Sequence, residues 1–600
     1  MRNLMATRLV ISTVAAISAG SALADVRLSN DFVGGGYVST YTLATTIPYT
    51  DATLAECSRS RGRQNEPAVA VNPRNTNVII GSSNDYCGVY NDGNDADGAP
   101  IASGPIWLGY YRSENGGTSF RSSLVPGYPD DTSPYAALAH IRTASAGDPV
   151  IAWDGHGRVF MGSESSDDPA ASKKTFGDVW VARFDNPDGV NGNTQNDGKR
   201  FLGSEVVAKG SSAPNLLGVF QDKTAIEADR TGGRCDGNVY FAWARFTGVG
   251  ISNIYLSRSV DHGATWSNPM NLTPRQGNLQ DPDISVTGNG NVYITYDVGE
   301  RRNGQPNGVE IVKSTDCGKT FGPSTLVTTY IPYNAQDVLD SGGYARDCGD
   351  FESHCQSGYT FFRKGTSTRS TADQSDLNNE WIYIVFEATK PGTEVATGTT
   401  YGSITSGLGS QSGAYFLRYD GATGAHTMPT LIDNQQKGHQ TFPDISADHG
   451  VLHTLWWDSR ADPCYSAMRP IGNCAGGLTV AALDVWASTS ANYGITWAAS
   501  TRMTDVASNP NFEQFSGRTV PFGGDYLWIS SVGAFAYGAW TDWRDTVAGV
   551  DQREGPTDDY DSDGADVLQC RTLLASGAWS GDKCPRDGGL DQNIYGRQTP

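Results

Sequence analysis

The 600-residue sequence predicts an all-β fold assembled from repeated four-stranded antiparallel sheets, and three observations predict it. An octet, Ser259-Val260-Asp261-His262-Gly263-Ala264-Thr265-Trp266, returns at residues 113–120, 314–321 and 490–497 on one template. The template is Ser, any residue, Asp or Asn, any, Gly, any, Thr or Ser, then Trp or Phe. A second repeat, a short acidic or proline-led strand, a tight turn and a strand ending in an aromatic, occurs seven times. Finally, 71 glycines, 14 tryptophans and 27 tyrosines accompany strand formers, with no long helical periodicity after residue 24. Repeats that run nearly end to end fit one closed propeller over residues 25–600 better than several domains.

In chain order, residues 1–24 come first, with Arg2 and Arg8, an apolar run over 9–17 and a small-residue ending Ala22-Leu23-Ala24. This pattern predicts a cleaved secretory signal, since the apolar run is shorter than the roughly 20 residues of a membrane span. The strand pairs follow at 66–71 with 78–81, 148–153 with 159–161, 224–228 with 239–243, and 281–286 with 292–296. They continue at 358–363 with 381–386, 443–447 with 451–457, and 519–522 with 526–540. Each pair supplies strands one and two of a blade, and the octet, where present, joins strands three and four. The blades are then 64–126, 146–207, 220–274, 281–329, 359–433, 439–505 and 520–585, seven in all, with six as the alternative if the segment near 360 is an insertion.

Within the octets, the Asp or Asn (Asn115, Asp261, Asp316, Asn492) can bond backbone two residues on, and the following glycine can take φ > 0. The terminal aromatic anchors the turn. These octets resemble the Asp-box, or BNR, repeats of the sialidase-like β-propellers of the neuraminidase superfamily. The resemblance spans most of residues 60 to 585 and implies the propeller fold, with the octets on the strand three to four turns and off the substrate.

Adjacent strands run antiparallel, so the octets and the one-to-two turns share the bottom face. Long connections at 84–105, 334–358, 459–478 and 545–564 then gather on the top face, where loops on a rigid scaffold carry function. Strand-one entrances bring Arg63, Glu66, Asp148, Asp222 and Asp281 to that face. Strand-two exits bring Trp243-Ala244-Arg245, Tyr296-Asp297, Phe386-Glu387, Trp457-Asp458-Ser459-Arg460 and Trp540-Thr541-Asp542-Trp543-Arg544.

Such a ring of acids and arginines can grip a carboxylate and protonate a leaving oxygen. The resemblance to sialidases implies an arginine triad on the sugar carboxylate, a tyrosine nucleophile assisted by a glutamate, and an aspartate acid/base. Its candidates are Arg63, Arg245, Arg369, Arg460 and Arg544 for the triad, Tyr526 for the nucleophile, and Asp148 and Asp222 among the acids. In place of the family's Phe-Arg-Ile-Pro-like motif this chain has Arg61-Gly62-Arg63-Gln64-Asn65-Glu66-Pro67. The alternative for Asp458/Arg460 and Asp542/Arg544 is a salt bridge between blades, because a scaffold contact recurs whereas a catalytic residue is needed once.

Alternating carboxylates at Asp559, Asp561, Asp563 and Asp566, with Gly564 for the turn, form either a calcium loop or a solvated acidic loop. No cofactor is required, and calcium is the one ion expected. Ten cysteines in an exported chain suggest five disulfides, with 348/355, 464/474 and 570/584 as loop staples. A net charge of −21 argues against nucleic acid and anionic membranes as partners. The expected protein is a secreted or periplasmic monomer acting on extracellular glycans, an exo-sialidase-like glycoside hydrolase of open sugar specificity. The alternative is a non-catalytic propeller that binds glycan or protein.

Overall fold

The computed structural model describes residues 24–30, 36–58, 64–87, 106–143, 145–165, 177–211, 218–247, 251–299, 307–332, 367–393, 396–397, 400–401, 411–465, 471–472, 474, 480–510, 523–545 and 592–599. They form a seven-bladed β-propeller of antiparallel sheets. The innermost strands are Gln64–Val71, Gly147–Trp153, Val219–Ala228, Leu279–Val286, Arg369–Thr371, Gln440–Asp448 and Trp528–Val532. Each touches the next around the ring and the last touches the first, so the ring is closed. Blade 2 carries a fifth strand, Ala139–His140, parallel to its outer edge.

Two blades differ from the sequence expectation. In blade 5 the strand pairing with Trp381–Thr389 is Arg369–Thr371, not 358–363, which lies outside the described residues. Blade 7 pairs Trp528–Val532 with Phe535–Asp542, takes its third strand from Asn593–Gln598, beyond the expected end at 585, and its outermost strand from Val26–Arg27. Val26–Arg27 and Asn593–Gln598, far apart in sequence, therefore lie in one sheet. Leu28, fully buried among Val69, Ile79, Tyr537 and Ile594, fastens that sheet to blade 1.

The four octets fold alike. In each, the first serine's Oγ accepts from the glycine N–H, Gly117, Gly263, Gly318 or Gly494, at 2.8 to 2.9 Å. Each Asp or Asn Oδ1 accepts the N–H four residues on, at 2.8 to 3.0 Å. The glycines have φ from 71 to 85°. Each also faces an aromatic of the preceding blade: a Cβ on Gly117 would stand 2.1 Å from Tyr537, on Gly263 2.9 Å from Phe160, on Gly318 2.8 Å from Tyr240 and on Gly494 2.1 Å from Phe416. The octet is thus a seam element as well as a turn.

Disulfides join Cys57 to Cys87, Cys235 to Cys317 and Cys464 to Cys474. The last is the expected staple, while Cys348, Cys355, Cys570 and Cys584 lie outside the described residues. Cys235–Cys317 ties blade 3 to the octet of blade 4. No helix among the described residues is long and apolar enough to cross a membrane.

Candidate active site

Five innermost strands bulge near their top entrance, at 65/68, 147/150, 222/224, 280/283 and 441/444. In four of them a proline, Pro67, Pro149, Pro282 or Pro443, follows the bulged residue, and proline has no N–H to give the ladder. The residue at each bulge takes a left-handed conformation: Glu66 at φ 55°, Asp148 at 50°, Lys223 at 54°, Asp281 at 50° and Phe442 at 49°. Such a backbone costs on the order of 1–3 kcal/mol per residue and clusters where function requires it. Here it brings charged side chains of several blades together at the top of the channel.

Glu66 is the centre of this group and is 2% exposed. Its Oε2 accepts from Asn84 Nδ2 at 2.7 Å and its Oε1 from Asp525 N–H at 3.2 Å. Burial, then the negative charges of Asp148 and Asp525, drive its pKa well above the carboxyl range, and Lys223 only partly offsets them. Gly524, at φ 88°, lets blade 7 approach, since a Cβ there would stand 2.2 Å from Glu66 Cγ. Lys223 and Asp525 form an ion pair across the mouth. Asp148, Glu164 and Asp222 bring carboxylate oxygens within 4.8 Å of one another. Glu164 is likewise pushed well above its ordinary value by burial and then by Asp148 and Asp222.

Tyr526 and Arg369 form the floor. The Tyr526 hydroxyl donates to Pro149 O at 3.4 Å, and burial, then Asp148 and Glu66, raise its pKa well above 10. The Arg369 guanidinium lies 5.0 Å from the Tyr526 ring and 4.8 Å from Trp528. Beneath it the channel opens into a cavity of about 100 Å³ lined by Trp153, Arg230, Asp283, Asp444 and Trp528. Desolvation raises Asp444 to about 7, Glu387 to about 8 and Asp281 to about 6.

Of the residues expected from sequence, Asp148, Asp222, Arg369 and Tyr526 meet here, with Glu66 and Asp281. The other arginines do not join them. Arg245 donates to Gln221 Oε1 at 2.9 and 3.1 Å and stacks on Tyr255 at 4.0 Å. Arg460 pairs with Asp458 of its own blade at 2.5 Å and Asp433 of the preceding blade at 2.8 Å, over Trp486 at 3.8 Å. Arg544 repeats this with Asp542 at 2.7 Å, Asp505 at 2.6 Å and Tyr595 at 4.1 Å, and adds Asp25 at 2.6 Å. These two are the same contact made twice, so a triad built from Arg245, Arg369, Arg460 and Arg544 is not assembled.

Arg63 and the loop with Asp559, Asp561, Asp563 and Asp566 lie outside the described residues, as do most of the long top connections. Sequence reading missed Glu164 and Lys223. Glu164 ends its strand after Ser163, without the aromatic that marked the other exits, and Lys223 is a lone cation between two candidate strand starts.

No protein-family model matches the chain, and no curated protein matches it by sequence. Solved structures resemble it at fold level. A Hadza microbial sialidase aligns at 13% identity and TM-score 0.38, over 69% of this chain and 65% of its own length. A Penicillium chrysogenum α-L-arabinanase complexed with arabinobiose aligns at 10% identity and TM-score 0.37, over 80% and 100%. Trypanosoma rangeli sialidase aligns at 10% identity and TM-score 0.36, over 74% and 57%. The chain thus spans less than two thirds of either sialidase.

Proposed function

We propose that this propeller is an exported glycoside hydrolase whose top channel mouth cleaves glycosidic bonds with Glu66 as the proton donor. The observation that carries the reading is Glu66 itself: a buried carboxyl on a strained bulge, whose pKa burial, then Asp148 and Asp525, push well above its ordinary value, so that it holds its proton more tightly than a free carboxyl. A general acid must hold its proton until the leaving oxygen needs it. Asp525, held by the Lys223 ammonium, supplies negative charge toward the developing oxocarbenium ion; water then adds to the anomeric carbon and its proton passes to the Glu66 carboxylate, restoring the acid. Tyr526 stays a neutral phenol and acts as a hydrogen-bond donor in the floor instead of the nucleophile that the sialidase resemblance implies. Disulfides that join separate parts of the chain support export to an oxidising compartment.

Charge decides the sugar class. Six acids surround the mouth; with Glu66 and Glu164 pushed towards the protonated form, its negative charge comes from Asp148, Asp222, Asp281 and Asp525, with Lys223 paired to Asp525 and Arg369 beneath against two rings. This environment repels a sugar carboxylate and favours a neutral or amino sugar. The test is a panel of 4-methylumbelliferyl glycosides bearing neutral sugars, amino sugars, a uronic acid and an α-sialoside. Turnover of a neutral or amino sugar is expected. Turnover of the sialoside alone would contradict the charge argument, and silence from folded protein would favour the binding propeller.

A further inference from the structure

A latch joins blades 1 to 2, 4 to 5 and 5 to 6, whereas the same register position in blades 3 and 6 holds Ala244 and Trp457. At the top exit of strand two, a polar side chain accepts an N–H from the first strand of the next blade. Asn84 Oδ1 takes Asp148 N–H at 2.8 Å, Asp297 Oδ2 takes Thr368 N–H at 2.9 Å, and Glu387 Oε2 takes Phe442 N–H at 2.8 Å. The register shows which residue of blade 2 stands at this position: Asn84 lies opposite Asn65, Asp297 opposite Gln280, and Glu164 opposite Gly147.

Glu164 does not latch. The bulge N–H of the next blade, Lys223 N–H, goes instead to Asp222 Oδ1 at 2.7 Å. Glu164 is 7% exposed, and its Oε2 has no hydrogen-bond partner. Its carboxylate is aimed at two others, with oxygens of Asp148, Glu164 and Asp222 all within 4.8 Å of one another. A buried carboxylate oxygen without a donor is costly, and this ring repels itself unless a proton, shared in a Glu164–Asp222 side-chain hydrogen bond, or a cation completes it. The Lys223 ammonium, paired with Asp525, also attracts Glu164 and Asp222, yet burial and the neighbouring carboxylates still leave both carboxyls raised.

We propose that Asp148, Glu164 and Asp222 bind a divalent cation of the calcium class in the seam between blades 2 and 3. The donors are hard oxygens, and their spread fits ligands roughly 2.4 Å from a shared centre with further positions filled by water. Asp222 is half-buried, which leaves those positions open. The ion joins the two blades in place of the latch they lack. This inference rests on geometry and not on the hydrolase reading, but a cation on Asp148 would offset the charge that raises Glu66 and repels a sugar carboxylate, so the glycoside panel is run both with EDTA and with calcium.

The test is a calcium titration of the EDTA-stripped chain by calorimetry, with melting temperature followed in parallel and MgCl2 as comparator. Binding that raises the melting temperature is expected in the wild type, with Glu164→Gln weakening it about tenfold or more as one ligand charge is lost. Asp222→Asn should act alike, and Glu164→Gln without calcium should melt no lower than the stripped wild type, which shows that it folds. Asp561→Asn separates this site from the acidic loop near residue 560. Calcium binding lost in Asp561→Asn and retained in Glu164→Gln would overturn the proposal, as would no binding of either ion to the wild type.

Discussion

Arg460 and Arg544 each follow a Trp-x-Asp strand end, and each aspartate accepts both the tryptophan Nε1–H and the arginine backbone N–H. The guanidinium then reaches an aspartate on the preceding blade. Removing one partner of such a buried pair leaves its carboxylates unpaired and costs about 3 kcal/mol. Arg460→Met and Arg544→Met should therefore lower stability by about that much each while leaving turnover by the folded protein intact. Urea titration beside a rate assay checks this, and lost turnover at unchanged stability would return these arginines to the site. Local sequence offered both meanings for this pattern, and only the partner from another blade decides between them. Glu164 was harder still to read, because its missing latch is visible only against the register of the other blades.

At the scale of elements, most of the architecture is legible because each blade announces itself twice, by a strand pair and, in four blades, by an octet. In sequence the octets read as turns anchored by an aromatic. Their fit against an aromatic of the preceding blade was not legible, since Gly117 and Tyr537 are 420 residues apart. Blade 5 was misplaced because Arg369-Ser370-Thr371 is polar on every residue and reads as a loop. It is a strand because Arg369 lies on Tyr526 and Trp528 and Ser370 N–H bonds Asp283 at 2.7 Å. Blade 7 was cut short because two-residue Val26–Arg27 carries no alternation of its own and pairs with residues 595 and 596, at the other end of the chain. Proline-led strand starts were legible in sequence, whereas the bulges they carry, which build the mouth, were not.

For the whole molecule, a ring that gathers acids at its axis must show it in the pH dependence of stability. Asp281, Asp444 and Glu387 have folded pKa values of about 6, 7 and 8, raised by burial above the ordinary carboxyl range. A carboxyl raised on folding holds its proton more tightly in the native state. Its contribution is fully present below the unfolded value near 4 and is lost as pH rises through the folded one. Carboxylates held low, such as Asp316 and Asp505 at about 2, act only below that window. With EDTA present, the melting temperature should be several degrees higher at about pH 5.5 than at about pH 8.5. A flat or rising profile would mean that these acids are compensated in the native state.

The central claim is that Glu66 gives up a proton at the channel mouth, and the direct measurement is the pH–rate profile of wild type and Glu66→Gln on a 4-methylumbelliferyl glycoside that the wild type cleaves. The account predicts a wild-type rate that falls as pH rises through the elevated Glu66 pKa. A loss of about 100-fold or more is expected in Glu66→Gln, whose folding is checked by its melting temperature because the amide NH2 would face the Asn84 Nδ2 donor. Equal rates in the two proteins would contradict it.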